Sequence, residues 1–144
     1  MSTAVGIVTL IVGLVAWLGQ GLAFLVPSAA VRMGVLEPQE EVDPTLYVIE
    51  ARAMGLSDLL LGWILPASAL LMLLHHPIWP QLALIGSGVF IYFSAVIILS
   101  RVYLKREGKR VGRPASERAA YLFGGIWIAC SLAMIVLAVS ALST

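Results

Sequence analysis

Four long apolar segments dominate the chain. They cover residues 4–26, 53–74, 82–104 and 119–142, and short polar segments separate them. A helix needs about 20 predominantly apolar residues to cross the roughly 30 Å hydrocarbon layer of a membrane, and each segment meets that length. With the adjoining polar turns, the pattern predicts a single domain, residues 1–144, with transmembrane helices over about residues 4–26, 47–74, 82–104 and 117–142. We call these helices spans 1 to 4.

Composition supports a membrane protein. Hydrophobic residues make up 60% of the chain and charged residues 12%, whereas an ordinary soluble domain has about 25% charged residues. The predicted fold class is therefore all-α, a polytopic membrane protein built as a four-transmembrane-helix bundle with short loops. Span 1 is expected to be a retained helix, because no Lys or Arg precedes it and its apolar run exceeds the roughly 7 to 15 residues of a signal peptide.

The basic residues indicate how the helices are oriented. All nine Lys and Arg residues lie at one end of the hairpins, at positions 32, 52, 101, 105, 106, 109, 110, 113 and 118, and the turn over residues 75–80 has none. Cytoplasmic loops carry an excess of Lys and Arg. We therefore predict a multi-pass protein of the cell inner (plasma) membrane, with loops 1 and 3 cytoplasmic and both termini outside.

The two predicted cytoplasmic loops have opposite charges. Residues 27–50 carry one Arg and five acidic residues, a net charge of −4, and residues 101–118 carry seven basic and two acidic residues, a net charge of +5. The loops can therefore attract each other. Three interpretations stay open: two solvated loops, a lid over the bundle, or a basic surface for anionic lipid headgroups or a phosphorylated substrate.

Small and polar residues spaced seven apart mark the predicted inward faces, because such residues share one face of a helix and let helix backbones approach in lipid. These faces comprise Gly6, Gly13 and Gln20 in span 1; Gly55, Asp58 and Gly62 in span 2; Ser87, Ser94 and Arg101 in span 3; and Tyr121, Gly124 and Ser131 in span 4. Bundles place ligand sites between facing helices. The pattern predicts a polar pocket that opens towards the cytoplasmic leaflet.

Asp58 is the one acidic residue deep in an apolar helix. Its burial costs at least about 2.5 to 3.5 kcal/mol on membrane-insertion scales. It either pairs with Arg52, Arg101 or Gln20 to hold the helices together, or it donates and accepts a proton in a reaction. Pro66 adds to the second interpretation, because proline frees a carbonyl one turn earlier and kinks the helix.

The leading hypothesis assigns these residues to one site. Asp58, Glu50 and Tyr121 are the predicted catalytic residues, and Gln20, Arg52, Ser94 and Arg101 are predicted to bind the substrate. One carboxyl group without a cofactor suits isomerisation, cyclisation or epoxide opening. No metal site is predicted, because His75 and His76 are adjacent and point to different faces, and Cys130 alone cannot form a thiolate cluster.

Two family resemblances add expectations. Residues 50–62, with the sequence EARAMGLSDLLLG, resemble the second-helix segment of the small bacterial DoxX-like membrane proteins, which implies a four-helix layout and assigns no activity. The chain also resembles the membrane-associated eicosanoid and glutathione metabolism family, in which Arg52 and Asp58 would take the places of an Arg and an acid early in the second helix. The asparagine usual between them is absent, so glutathione is not an expected ligand.

The expected function is binding, and acid-base transformation, of a hydrophobic or amphipathic small molecule. Two other classes stay open: a non-catalytic subunit or accessory protein that packs against a partner, and a small proton-coupled transporter. The expected partners are membrane lipids and the hydrophobic small molecule, with a homo-oligomer as an open alternative. Nucleic acid is not expected, because membrane topology explains the basic run.

Overall fold

The chain forms the expected all-α bundle. The computed structural model describes residues 2–143, and within them four helices are long and apolar enough to cross a membrane: Ser2–Leu25, Pro44–Leu73, Trp79–Arg106 and Pro114–Leu142. Each bound lies within three residues of its predicted position. These four helices are spans 1 to 4 from here on.

Spans 1, 3 and 4 are single α-helices, and span 2 is composite. The elements in chain order are α1 (Ser2–Leu25), α2 (Pro27–Arg32), a 3₁₀ turn (Gln39–Glu41), α3 (Pro44–Tyr47), a π-helical segment (Val48–Met54), α4 (Gly55–Leu61), α5 (Ile64–Leu73), α6 (Trp79–Arg106) and α7 (Pro114–Leu142). The helix α2 and the π-helical segment have no signal in the hydrophobic pattern.

Span 2 begins at a capped end. The Asp43 side chain accepts a 2.9 Å hydrogen bond from the Thr45 backbone N–H, and Pro44 occupies the first helical turn, where a missing N–H costs nothing. Hydrogen bonds from Thr45 lower the pKa of Asp43, and the charges of Lys109 and Arg110 act in the same direction. The cap therefore stays ionised at neutral pH.

Span 2 is interrupted one turn before Pro66. Helix α4 ends at Leu61 and α5 starts at Ile64, because proline has no N–H to give to the carbonyl of Gly62 and its ring crowds that carbonyl. Asp58 lies in the last turns before this interruption. The helix interruption predicted from Pro66 is thus present, close to Asp58.

The four spans form a closed ring in which each packs on its chain neighbour and span 4 returns to span 1. The seam between spans 1 and 4 is the sparsest of the four. Near the chain termini the ring is filled by an apolar core, whose buried members are Ala16, Leu65, Ala69, Met72, Ala83, Phe90, Met134 and Ala138. The other end of the bundle, near loops 1 and 3, holds the polar groups.

Spans 2 and 3 approach each other very closely at Gly86. A Cβ atom at this position would lie 2.6 Å from the backbone nitrogen of Leu65, a distance that only a backbone shift could relieve. On span 1, a Cβ at Gly13 would lie 3.0 Å from the Pro66 ring. The small-residue faces seen in the sequence therefore lie at helix contacts, as expected for helices that pack in lipid.

Loops 1 and 3 are joined by a contact that we call the loop clasp. Val42 and Val111 form an antiparallel bridge, and the Asp43 backbone N–H donates a 2.8 Å hydrogen bond to the Arg110 carbonyl. Val42, Leu46 and Val111 form a small apolar cluster beneath it. The opposite loop charges thus meet in a defined structure, and the lid interpretation describes the loops better than two independently solvated segments.

Candidate functional site

A large cleft lies between spans 1 and 4, at the end of the bundle covered by the loop clasp. Its volume is about 740 Å³, within the 300 to 1,000 Å³ range typical of small-molecule sites. Span 1 contributes one wall from Ile11 to Ala23, and span 4 contributes the other from Ala115 to Trp127. The cleft is therefore the consequence of the sparse span 1–span 4 seam.

The deep end of the cleft is polar. Arg101 of span 3 donates from both terminal nitrogens to the two carboxylate oxygens of Glu50, with Nη2 to Oε2 at 3.0 Å. Both side chains are largely buried, 7% exposed for Arg101 and 13% for Glu50. This two-point geometry is the strong form of the Arg–carboxylate pair. It fixes a neutral, hydrogen-bonding floor for the cleft.

A second ion pair lies at the rim, where the loop clasp meets the cleft. Arg113 Nε is 3.2 Å from Glu37 Oε2, and the Glu37 side chain is 5% exposed whereas that of Arg113 is 59% exposed. Both residues line the cleft. Because each carboxylate has a guanidinium partner, the four charged side chains of the cleft sum to zero net charge.

The cleft opens sideways. Ile11, Val15 and Phe123 line it and also have strongly exposed side chains. These residues belong to helices of membrane-spanning length. The cleft therefore has an apolar side opening between spans 1 and 4.

A second, much smaller chamber adjoins the cleft and contains Asp58. It is lined by Asp58 and Gly62 of span 2, by Ser94 of span 3 and by several aromatic side chains. Its volume is about 10 Å³, close to the space one water molecule occupies. The chamber and the cleft share four lining residues, Ala16, Gln20, Ile97 and Trp127. Gln20 therefore faces both spaces.

Asp58 is 7% exposed, and its carboxylate forms no side-chain hydrogen bond or ion pair with any residue from 2 to 143. The Ser94 hydroxyl is fully buried and without a hydrogen-bond partner within this range. The indole N–H of Trp17 donates to the Leu59 carbonyl at 3.1 Å and fixes span 1 against span 2 beside the chamber. The chamber thus presents an unpaired carboxyl and a free hydroxyl to one small polar molecule.

Five of the seven predicted site residues border these two neighbouring spaces. Asp58 and Ser94 line the chamber, Glu50 and Arg101 line the cleft, and Gln20 lines both. Glu50 was predicted to be catalytic, but its carboxylate is bound by Arg101. It serves as a positioning group for the guanidinium.

Two predicted residues lie elsewhere. Arg52 is exposed on the outside of span 2, because two residues along the π-helical segment Val48–Met54 carry its side chain to roughly the opposite side from Glu50. Tyr121 lines neither space, and its hydroxyl donates a 2.9 Å hydrogen bond to Glu117, which Lys105 also contacts at 2.8 Å. The structure therefore does not bring Arg52 or Tyr121 to Asp58.

Other lining residues escaped the sequence analysis. Trp127, Phe90 and Phe93 surround the chamber, and Phe90 meets Trp127 edge to face with ring centroids 6.5 Å apart. Aromatic residues in an apolar helix carry no signal that separates a site from lipid contact. The Glu37–Arg113 pair was implied by the opposite charges of the loops, but no sequence spacing selected those two partners.

The fold and the site together define an all-α bundle of four membrane-spanning helices with a lateral cleft and a buried acid chamber. Among residues 2–143 no three His, Cys, Asp or Glu side chains come together as a metal site would require. No protein-family model, no curated protein and no solved structure matches the chain. The two resemblances noted in the sequence therefore stay predictions, and function has to be argued from the site.

Proposed function

We propose that this integral membrane protein binds a hydrophobic or amphipathic small molecule in the cleft between spans 1 and 4. The observation that carries the proposal is a cleft of about 740 Å³ that ends on the buried Glu50–Arg101 pair. Apolar walls with a few fixed polar groups at one end are typical of small-molecule sites. The chain of such a ligand lies along the walls and its polar end meets the floor.

We further propose that Asp58 acts on this molecule as a general acid or base. The chamber and the cleft share Gln20 and Trp127 as lining residues, and in this proposal a proton passes between the carboxyl group and a bound molecule directly or through one water. Isomerisation, cyclisation and epoxide opening all need a proton donor or acceptor without a redox group. Ser94 and Gln20 provide the hydrogen bonds that position the groups between which the proton moves.

The proposal includes an orientation. All nine Lys and Arg residues lie at the clasp end of the bundle. Following the positive-inside rule, we propose that the cleft lies in the cytoplasmic leaflet of the cell inner (plasma) membrane. Both termini and the His75–His76 turn are then outside. Cysteine accessibility at a residue of each loop, measured in intact cells with a membrane-impermeant reagent, tests this: labelling of loop 1 or 3 would contradict it.

Native mass spectrometry in mild detergent tests ligand binding. Ala120 lines the cleft, so Ala120→Trp should fill it and remove a co-purifying molecule. Ala129 is exposed on the same helix and lines neither space, so Ala129→Trp is the matched control and should keep the molecule. Equal ligand content in both variants would reject the cleft as the site.

Asp58→Asn separates chemistry from binding. The variant keeps the shape of the chamber but removes the ionisable carboxyl group. It should therefore retain the ligand and accumulate it in its untransformed state. Mass analysis of the extracted ligand and of the cellular lipids reads out this change. An unchanged ligand and lipid profile in a folded variant would contradict the proposal that Asp58 acts as a general acid or base.

The same chamber favours one second candidate, proton-coupled transport. A single membrane-buried carboxyl without a partner is the kind of group that carries a proton in transporters. Four helices would then be expected to form a homo-oligomer to complete a pathway. Acidification of liposomes on addition of a substrate, abolished by Asp58→Asn, would favour transport over transformation.

A further inference from the structure

The charges of the cleft constrain what its occupant can carry. Of the residues that line it, four are charged, and they form the two pairs Glu50–Arg101 and Glu37–Arg113. An ionised group brought to the floor would therefore meet no unpaired countercharge. Burying an unpaired charge is far more costly than burying a hydrogen-bonded neutral group.

The hydrogen-bonding capacity that remains at the floor suits a neutral oxygen. Both terminal nitrogens of Arg101 already donate to Glu50, so the guanidinium fork that normally holds a carboxylate or phosphate is occupied. Its Nε is buried and has no hydrogen-bond partner among residues 2–143. Because this Nε is closed to a molecule in the cleft, Arg101 has no free donor to offer to an anionic head.

Arg113 at the rim pairs with Glu37 through its Nε and is otherwise exposed, and the remaining polar groups of the cleft are neutral. Gln20 offers an amide donor and acceptor, and Ser116 offers a hydroxyl. Neither can offset a charged head. The apolar walls reach from this floor to exposed Ile11 and Val15 on the lipid-facing side, which suits a hydrocarbon chain that remains partly in the bilayer.

We infer that the ligand of the cleft has an uncharged oxygen head, a hydroxyl, carbonyl or ester, which hydrogen-bonds the Gln20 amide, on a long hydrocarbon chain. This inference rests on the proposed function and narrows it. Ionic amphiphiles, such as alkyl phosphates and alkylammonium ions, are excluded from the floor by its zero net charge.

Three amphiphiles with one chain and different heads test the inference. Hexadecanol, hexadecyl phosphate and hexadecyltrimethylammonium are added in turn to the protein in the same nonionic detergent, and binding is measured by native mass spectrometry and by the rise in unfolding temperature. We expect hexadecanol to bind at least tenfold more tightly than either ion. The Ala120→Trp variant should lose this binding and Ala129→Trp should keep it.

A charge change gives an independent readout. Glu50→Gln leaves Arg101 without its carboxylate partner and gives the cleft a net charge of +1. The affinity for hexadecyl phosphate should therefore rise at least tenfold relative to that for hexadecanol. If that variant does not fold, Glu37→Gln makes the same charge change at the rim. A merely structural role for the pairs would weaken both ligands equally, which would overturn the inference.

The outcomes separate the two proposals. Tighter binding of either ion to the wild-type cleft would overturn the neutral-head inference and leave cleft binding intact. No binding of any of the three, or binding that Ala120→Trp does not reduce, would overturn the inference and cleft binding together.

Discussion

The strength of the Glu50–Arg101 ion pair depends on whether water reaches the floor of the cleft. Breaking the pair therefore tests whether the floor is desolvated. Arg101 Nη2 and Glu50 Oε2 are 3.0 Å apart. Two unit charges at this separation attract by about 5 kcal/mol at an effective dielectric constant of about 20, and by about 1.4 kcal/mol in bulk water. The effect of Glu50→Gln therefore reports on the surroundings of the pair.

We expect Glu50→Gln to lower the free energy of unfolding by about 3 to 5 kcal/mol, because it leaves a buried guanidinium without its countercharge. The assay is equilibrium denaturation in mixed micelles, followed by tryptophan fluorescence. Glu117→Gln is the matched control, since it breaks the pair with Lys105, whose side chain is 60% exposed, and exposed pairs contribute about 0 to 1 kcal/mol.

A double change distinguishes charge from packing. Replacing both members, as in Glu50→Gln with Arg101→Met, removes the unpaired charge and should recover most of the lost stability. A loss under about 1 kcal/mol for Glu50→Gln, equal to that of Glu117→Gln, would mean that water reaches the pair. That result would refute a desolvated floor and the exclusion of ionic ligands that depends on it.

Three further predictions concern the bundle and the loop clasp. Gly86→Ala should destabilise the protein by about 1 to 3 kcal/mol through overpacking against the span 2 backbone, whereas Gly88→Ala, which meets nothing within 4 Å, should not. Trp17→Phe removes the hydrogen bond to Leu59 and should lower the free energy of unfolding by about 0.5 to 1.5 kcal/mol in the same denaturation assay. Trp63→Phe is the control and should lower it less, because its hydrogen bond is local and exposed. Equal losses would contradict the role of Trp17 in joining spans 1 and 2. Arg113→Gln should speed proteolysis within loop 1, because it frees Glu37. Exposed Arg118→Gln is the control, and equal cleavage rates would show that the Glu37–Arg113 pair does not hold loop 1 in place.

The architecture could be predicted from hydropathy because a membrane span imposes length and composition on the sequence together. The helix bounds and the inward faces followed from this, and Ser87, Ser94 and Arg101 are indeed buried on one face of span 3. The break before Pro66 was likewise predictable, since it follows from the missing N–H of proline.

The partners of the charged groups could not be predicted in the same way. Glu50, Arg52 and Arg101 all lie near one membrane boundary in the sequence, but the side on which each emerges depends on the local winding of span 2. The π-helical segment Val48–Met54 sets this winding, and no residue pattern announced it. Tyr121 bonds Glu117 one turn earlier in its own helix and not a partner on another span, and the cleft itself arises from uneven packing of spans 1 and 4.

The two interpretations of Asp58 now predict opposite effects on stability. Its named cationic partners are unavailable to hold the helices together, because Arg101 is engaged by Glu50 and Arg52 is exposed on the outside of span 2. A buried acid that is kept without a partner lowers stability, as functional groups often do. We therefore expect Asp58→Asn to leave the free energy of unfolding unchanged or to raise it, on the scale of the roughly 2.5 to 3.5 kcal/mol that membrane insertion assigns to a buried charge. Denaturation in mixed micelles measures the change, and a loss of more than about 1 kcal/mol would show that Asp58 is a structural contact after all.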